Sequence, residues 1–309
     1  MFSKNKIIKY RDKNKTKPNK LMGQNFLRDK NILNKIIAAA NLTAGDSVLE
    51  VGPGEGVLTR ELARYTGRVI AVEKDKNLAA RLKEEFKNNK NVEIIESDIL
   101  EFLKTANYQL PAAYKVVANI PYYLTSHLIR LLLESENPPT EIVLLIQKEV
   151  AERICASPPE MSLLAVSVQF YAEPKIIASV SKRAFWPQPK VNSAIIRITP
   201  HQWCHSRPVS QYGVNSSGDP GPGSRVPPSP TATDGRSKPG MTKIEEDDFF
   251  RVARAGFSHP RKQLLGNLSG GLRMEKDKII GALQTAGLKP QQRAETLSVK
   301  DWIKLAASL

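Results

Sequence analysis

From residue 21 to about 200 the chain alternates between short apolar runs and longer amphipathic stretches. Five runs rich in β-branched residues stand out: Ser47–Val51, Arg68–Val72, Val92–Ile95, Lys115–Ala118 and Glu141–Ile146. They are nearly continuous rather than alternating, which marks strands buried on both faces. Helical stretches such as Leu58–Tyr65 and Asn77–Asn88 lie between them. Strands alternating with helices predict an α/β fold, a doubly wound parallel sheet. Two later runs, Lys175–Val180 and Val191–Thr199, flank a Pro-containing loop and are expected to pair antiparallel at one edge.

The pattern then changes. Residues 203–240 hold seven Pro, six Gly and seven Ser in 38 positions, with no Leu, Ile or Phe. Such a stretch cannot bury enough surface to offset its ordering entropy, so a disordered linker or insertion is expected. From 241 onward the pattern is helical. Thr242 with Glu245 is a capping-box signature before Asp248–Phe257. Ser258 is expected to cap the next helix, with Pro260 in its first turn and Leu264, Leu265 and Leu268 on one face. A third helix ends near Gly287 and a fourth follows Ser298. The expected organisation is a basic arm over 1–20, an α/β domain over 21–202, the linker over 203–240 and a small all-α domain over 241–309.

With 309 residues, 41% hydrophobic and 25% charged, the chain is long enough for two packed domains. No run approaches the ~20 apolar residues of a membrane span, and no apolar stretch follows the basic N-terminus as in a secretory signal. Cys155 and Cys204 cannot make a disulfide framework, so reduced thiols in a cytoplasmic protein are expected. His201, Cys204 and His205 lack a fourth ligand, and no metal is expected. Lys and Arg number 46 against 31 Asp and Glu, a net charge of +15. That excess points to a polyanionic partner such as nucleic acid. The first 20 residues alone hold eight basic side chains and one acid.

The candidate chemistry begins at Glu50-Val51-Gly52-Pro53-Gly54-Glu55-Gly56, after a strand and at the opening of a helix. The spacing is not that of the dinucleotide fingerprint G-x-G-x-x-G. Glu50 and Glu55 would repel a pyrophosphate. A cationic or zwitterionic ligand suits the loop better, and S-adenosylmethionine fits. Glu73 ends the second strand, 21 positions after Gly52, where a carboxylate can accept hydrogen bonds from ribose hydroxyls. Asp98 follows the third strand and can accept from the exocyclic amine of a cofactor adenine.

After the fourth strand comes Asn119-Ile120-Pro121-Tyr122-Tyr123. Its first four residues resemble the N-I/L-P-F/Y motif of adenine-N6 methyltransferases. Gln24-Asn25-Phe26-Leu27, the glycine loop, Glu73, Asp98 and Phe185-Trp186-Pro187-Gln188-Pro189-Lys190-Val191-Asn192-Ser193 are similar to the ribosomal RNA adenine-N6 dimethyltransferases. The small-subunit KsgA/RsmA type is the nearest. Ala255-Gly256-Phe257 to Asn267 and Arg293-Ala294-Glu295 extend the resemblance, which covers about 21–200 and 244–309.

The resemblance implies a Rossmann-like methyltransferase sheet with an antiparallel edge strand. It also implies dimethylation of two adjacent adenosines near the 3′ end of small-subunit rRNA. The partner would be a pre-ribosomal particle, the enzyme a monomer, and the cofactor S-adenosylmethionine without a metal. On that footing the Asn119 amide oxygen and the neighbouring Ile120 carbonyl accept the two N–H groups of the target amine. Pro121 stiffens the turn. Tyr122 offers a stacking face for a flipped base, and Phe185 would close the other side. Asn25 and Leu27 would cover the methionine end of the cofactor, while Tyr123 and His127 receive no role. Lys182, Arg183, Lys190, Arg261 and Lys262 could face RNA, or could be scattered surface charge. The alternatives are the large-subunit type that confers macrolide resistance, a non-enzymatic assembly factor, and a DNA adenine methyltransferase.

Overall fold

The computed structural model describes residue 18 and residues 23–105, 110–206 and 246–309. The basic arm (residue 18 apart), most of the 203–240 stretch and the Thr242/Glu245 signature lie outside the described residues. The elements run β1 (Phe26–Leu27), α1 (Lys30–Ala39), β2 (Ser47–Val51), α2 (Val57–Tyr65), β3 (Arg68–Glu73), α3 (Lys76–Glu85) and β4 (Val92–Glu96). Next come α4 (Ile99–Thr105), β5 (Lys115–Asn119), α5 (Thr125–Glu134), β6 (Glu141–Gln147), α6 (Lys148–Ile154) and α7 (Leu163–Tyr171). The sheet region closes with β7 (Ala172–Val180), β8 (Phe185–Trp186) and β9 (Ser193–Pro200). Four helices follow: α8 (Glu246–Gly256), α9 (Leu264–Leu272), α10 (Lys276–Thr285) and α11 (Val299–Ala307).

Seven strands form one sheet in the order β4-β3-β2-β5-β6-β9-β7. The strands from β4 to β6 are parallel, while β9 runs antiparallel to both β6 and β7. This is a doubly wound Rossmann-like sheet with the antiparallel pair at one edge. The central strands are mostly apolar because both faces are covered, and Val48, Leu49, Val116 and Val117 are fully buried. Chain direction away from the centre reverses between β2 and β5, which are hydrogen-bonded neighbours. The carboxyl ends at such a switch point leave a crevice that loops do not cross.

Side-chain caps set several helix starts. Asp29 accepts from the N–H groups of Asn31 and Ile32 ahead of α1, and Asp75 accepts from those of Asn77 and Leu78 ahead of α3. Ser298 and Asp301 form a reciprocal capping box on α11. Two helix boundaries differ most from expectation. Helix α3 stops at Glu85: the Phe86 N–H makes the last helical bond, to the Leu82 carbonyl, and a turn follows in which the Asn89 N–H donates to the Phe86 carbonyl at 2.8 Å. Helix α9 starts at Leu264, not after Ser258. The buried Asn267 explains the delay: its Nδ2 donates to the carbonyls of Gly256 (2.7 Å) and His259 (3.0 Å) and holds residues 257–263 as a turn. No described helix is long and apolar enough to cross a membrane.

The C-terminal helices join the sheet through aromatic packing. Phe170 of α7 stacks on Phe249 of α8, with ring centroids 4.0 Å apart, and Tyr171 stacks on Phe250 at 5.6 Å. The Tyr171 hydroxyl also bonds the Glu246 carboxylate. One hydrophobic cluster therefore runs from the sheet face under α5 and α7 into α8–α11. Cys204 is buried at this junction, with its Sγ donating to the Tyr171 carbonyl at 3.2 Å, and His201 stacks on Trp203. Among the described residues no three His, Cys, Asp or Glu side chains converge as a metal site.

Candidate active site

A cavity of about 280 Å³ opens at the carboxyl ends of β2, β3, β4 and β5. Asn25, Leu27, Gly52, Glu73, Asp98, Asn119, Pro121 and Tyr122 all line it. Sequence reasoning named these residues from five separate segments, and the fold brings them to one crevice.

The glycine loop forms its floor. The Gly52 N–H is spent on the Val72 carbonyl (2.9 Å), which carries the sheet pairing one residue past β2. Gly54 has φ +59°, and a Cβ there would stand 3.0 Å from the Phe26 ring. That position admits only glycine because the N-terminal segment packs directly on the loop. The Gly54 N–H donates to Glu73 Oε2 at 3.0 Å, and the Asp75 N–H donates to Glu73 Oε1 at 2.9 Å. Glu73 is thus clamped between the loop and the cap of α3. Burial raises its pKa, against the lowering effect of these backbone donors.

Glu50, on β2 beneath the loop, is 1% exposed, and its Oε2 has no hydrogen-bond partner. Burial pushes its carboxyl up to about 8; the Thr59 hydroxyl beside it lowers the value and the Glu73 charge raises it further. A buried acid with an unpartnered oxygen, in the wall of a ligand cavity, favours a positive group or a proton beside it.

Asp98 lies at the other end. The Lys74 ammonium sits 2.7 Å from its Oδ2, and the Leu100 N–H donates to its Oδ1 at 2.8 Å. The Lys74 contact is the main reason the Asp98 pKa is lowered. Lys74 was not singled out in the sequence. The parallel register that sets Glu73 beside Glu96 makes Lys74 and Asp98 neighbours, and one residue string does not display register.

Asn119 ends β5. Its Nδ2 donates to the Asn25 carbonyl at 3.0 Å, so the amide orientation is fixed and Oδ1 is the atom left for a ligand. Pro121 then holds φ −57° and ψ 135°, and the chain enters a 3-10 turn over Tyr122–Leu124. The Tyr122 hydroxyl pairs with Ser193 Oγ (2.8 Å), which tethers the ring to the start of β9. Burial raises the pKa of that phenol. Tyr123, given no role from sequence, is 66% exposed and lines the cavity beside Gly23.

Phe185 is placed differently. It is 5% exposed, pairs with Leu27 across the β1–β8 ribbon and packs in the core cluster containing α1 and β9 residues. It is not among the cavity-lining residues. Trp186 is the outward member of that ribbon. Arg261 and Lys262 are exposed in the turn before α9.

The sequence and the fold are similar to those of known proteins. A model of the ribosomal RNA adenine dimethylase family matches residues 15–213. A ribosomal RNA small subunit methyltransferase A from Dehalococcoides mccartyi is 41% identical over 289 residues, 94% of this chain and 87% of that protein. One of the same name from Moorella thermoacetica is 38% identical over 303 residues, covering 94% and 92%. The crystal structure of the 23S rRNA methyltransferase ErmE superposes with a TM-score of 0.65 at 26% identity, covering 92% of this chain and 99% of that one. A dimethyladenosine transferase from Plasmodium falciparum shares the fold, with a TM-score of 0.67 at 23% identity and coverage of 91% and 95%. On the family match and these relatives, the chain belongs to the ribosomal RNA adenine dimethylases, a family of S-adenosylmethionine-dependent methyltransferases.

Proposed function

We propose that this rRNA adenine-N6 dimethyltransferase acts on two adjacent adenosines near the 3′ end of small-subunit (16S) rRNA, giving N6,N6-dimethyladenosine during ribosome biogenesis. The relatives of 35–41% identity that carry the small-subunit name support this substrate. The 26% identity to ErmE favours the large-subunit reading less.

The observation that carries the chemistry is the Asn119 amide, held by Asn25 so that its oxygen is free at the cavity. An adenine amine is a poor nucleophile because its lone pair is delocalised into the ring. Asn119 Oδ1 accepts one of its N–H groups and the Ile120 carbonyl the other, which favours a pyramidal nitrogen with its lone pair aimed across the cavity. Tyr122 supplies the stacking face, at an angle fixed by Ser193. The work of these residues is positioning. The product nitrogen loses its proton to water, so no strong side-chain base is required.

The donor set fits S-adenosylmethionine. Glu73 and Asp98 stand where ribose and adenine donors would fall, and the orphaned Glu50 oxygen suits a cationic ligand. When bound, this cofactor supplies a methyl group already activated on a positive sulfur. Asn25 and Leu27, on the wall that packs over Gly54, would cover its amino acid end.

The test is incubation of purified protein with labelled S-adenosylmethionine and unmethylated small or large subunits, followed by nucleoside analysis. Label is expected as dimethyladenosine in the small subunit. Label confined to the large subunit rejects the assignment.

A further inference from the structure

Among the described residues, two of the four exposed large hydrophobic side chains, Tyr123 and Trp186, stand at the cavity or beside its wall. Tyr123 lines it. Trp186 is 36% exposed and stands opposite Phe26, a wall residue, in the β1–β8 register. Exposed apolar groups that cluster at a site mark a contact surface.

The stretch of chain that carries Trp186 is basic. Residues 174–200 contain Lys175, Lys182, Arg183, Lys190 and Arg197 and no acid. Lys182, Arg183 and Lys190 make no ion pair among the described residues. The ring is also held in place. The Arg28 guanidinium lies 4.6 Å from its centroid and reaches Glu55 of the glycine loop at 3.5 Å. The Arg28 N–H donates to the Ala184 carbonyl at 2.8 Å. Asn192 closes the far end of the loop by accepting from the Lys182 N–H at 3.1 Å. The result is a fixed aromatic plane, paired in register with a residue of the cavity wall and flanked in the chain by the unpaired Lys182, Arg183 and Lys190.

A base drawn out of its stack leaves its neighbours without a partner, and an aromatic plane can replace it. We propose that Trp186 is the stacking platform for a nucleotide flanking the methylated adenosine, with Lys182, Arg183 and Lys190 holding the adjacent phosphates. This rests on the rRNA reading above and adds a second base-binding position outside the cavity.

The test uses a stem-loop RNA with two adjacent adenosines in its loop, and copies made abasic at each flanking nucleotide. Trp186→Ala should raise KM for the intact stem-loop about 10-fold or more, the scale of a lost base–aromatic stack, while the Kd for S-adenosylmethionine stays unchanged. Trp186→Phe should recover most of the loss. One abasic copy should weaken binding to the wild type and add nothing further in Trp186→Ala. Trp302 is buried and Trp203 half-buried, so RNA should quench the tryptophan emission of the wild type and not that of Trp186→Phe. Thermal melting checks that each variant is folded. Equal KM in wild type and Trp186→Ala, or additive effects in the abasic pairing, overturns the proposal. So does a loss confined to intact particles, which would assign the ring to a ribosomal protein. If the wild type methylates neither stem-loop nor small subunit, it is the substrate reading that falls.

Discussion

The side-chain amide of Asn119 donates to the backbone carbonyl of Asn25, 94 positions earlier in the chain, at 3.0 Å. One hydrogen bond thus selects which end of the carboxamide meets the substrate. Asn119→Ala should lower the methyl-transfer rate by about 100-fold or more, the scale of losing one aligned hydrogen-bonding group at a reacting centre. Cofactor affinity should stay within a few-fold. Single-turnover methylation and calorimetric titration separate the two, and unchanged turnover removes the residue from the mechanism.

Lys74 occupies the carboxylate oxygen of Asp98 that an incoming adenine amine would use. Its side chain is well exposed, so water screens the pair and its hold on the carboxylate is weak. Lys74→Met should therefore tighten S-adenosylmethionine binding by no more than about fivefold, as read by calorimetry at low salt. Weaker binding in that variant would mean that the ammonium itself helps to hold the ligand.

Glu50 makes stability depend on pH. With its folded value pushed up to about 8 from an ordinary 4.5, the native state keeps a proton that the unfolded chain releases between those values. Its contribution is fully present below about pH 4.5 and is lost as pH rises towards 8. Glu50→Gln keeps the neutral form at every pH. Its Tm should exceed that of the wild type at pH 8, and the two should converge near pH 5. A lower Tm for the Gln variant at pH 8 would show that the carboxylate is needed charged.

Asn267 supplies two hydrogen bonds to buried or half-buried carbonyls in the turn before α9. Asn267→Ala leaves both acceptors without a donor, a loss of about 1–3 kcal/mol. Denaturant unfolding should show that shift, with S-adenosylmethionine affinity unaltered. An unchanged midpoint would mean that the turn is held elsewhere.

The parallel sheet was legible because buried strands write themselves as apolar runs. The bounds of β2 match the expectation, and β3, β4, β5 and β6 each extend one residue beyond it. Glu73, Asp98 and Asn119 were legible for the same reason: each sits at or just past a strand end, where such sheets expose side chains to a ligand. The β1–β8 ribbon was not, since two residues carry no period. Ser258 misled because cap chemistry is local, whereas Asn267, nine residues on, decides where the helix can start. The burial of Phe185 follows from its pairing with Leu27, a contact across most of the α/β region that motif spacing does not encode. Tyr123 carried a signal, its place beside Tyr122, but only the fold shows one ring exposed and the other tethered through its hydroxyl to Ser193.

That ribbon also sets a timetable. Phe26 and Leu27 leave the synthesising ribosome before their strand partner in the described structure, Phe185–Trp186, which follows about 160 residues later. The wall over Gly54 therefore waits for the second half of the α/β region, and a nascent chain cut before Trp186 has the glycine loop without its roof.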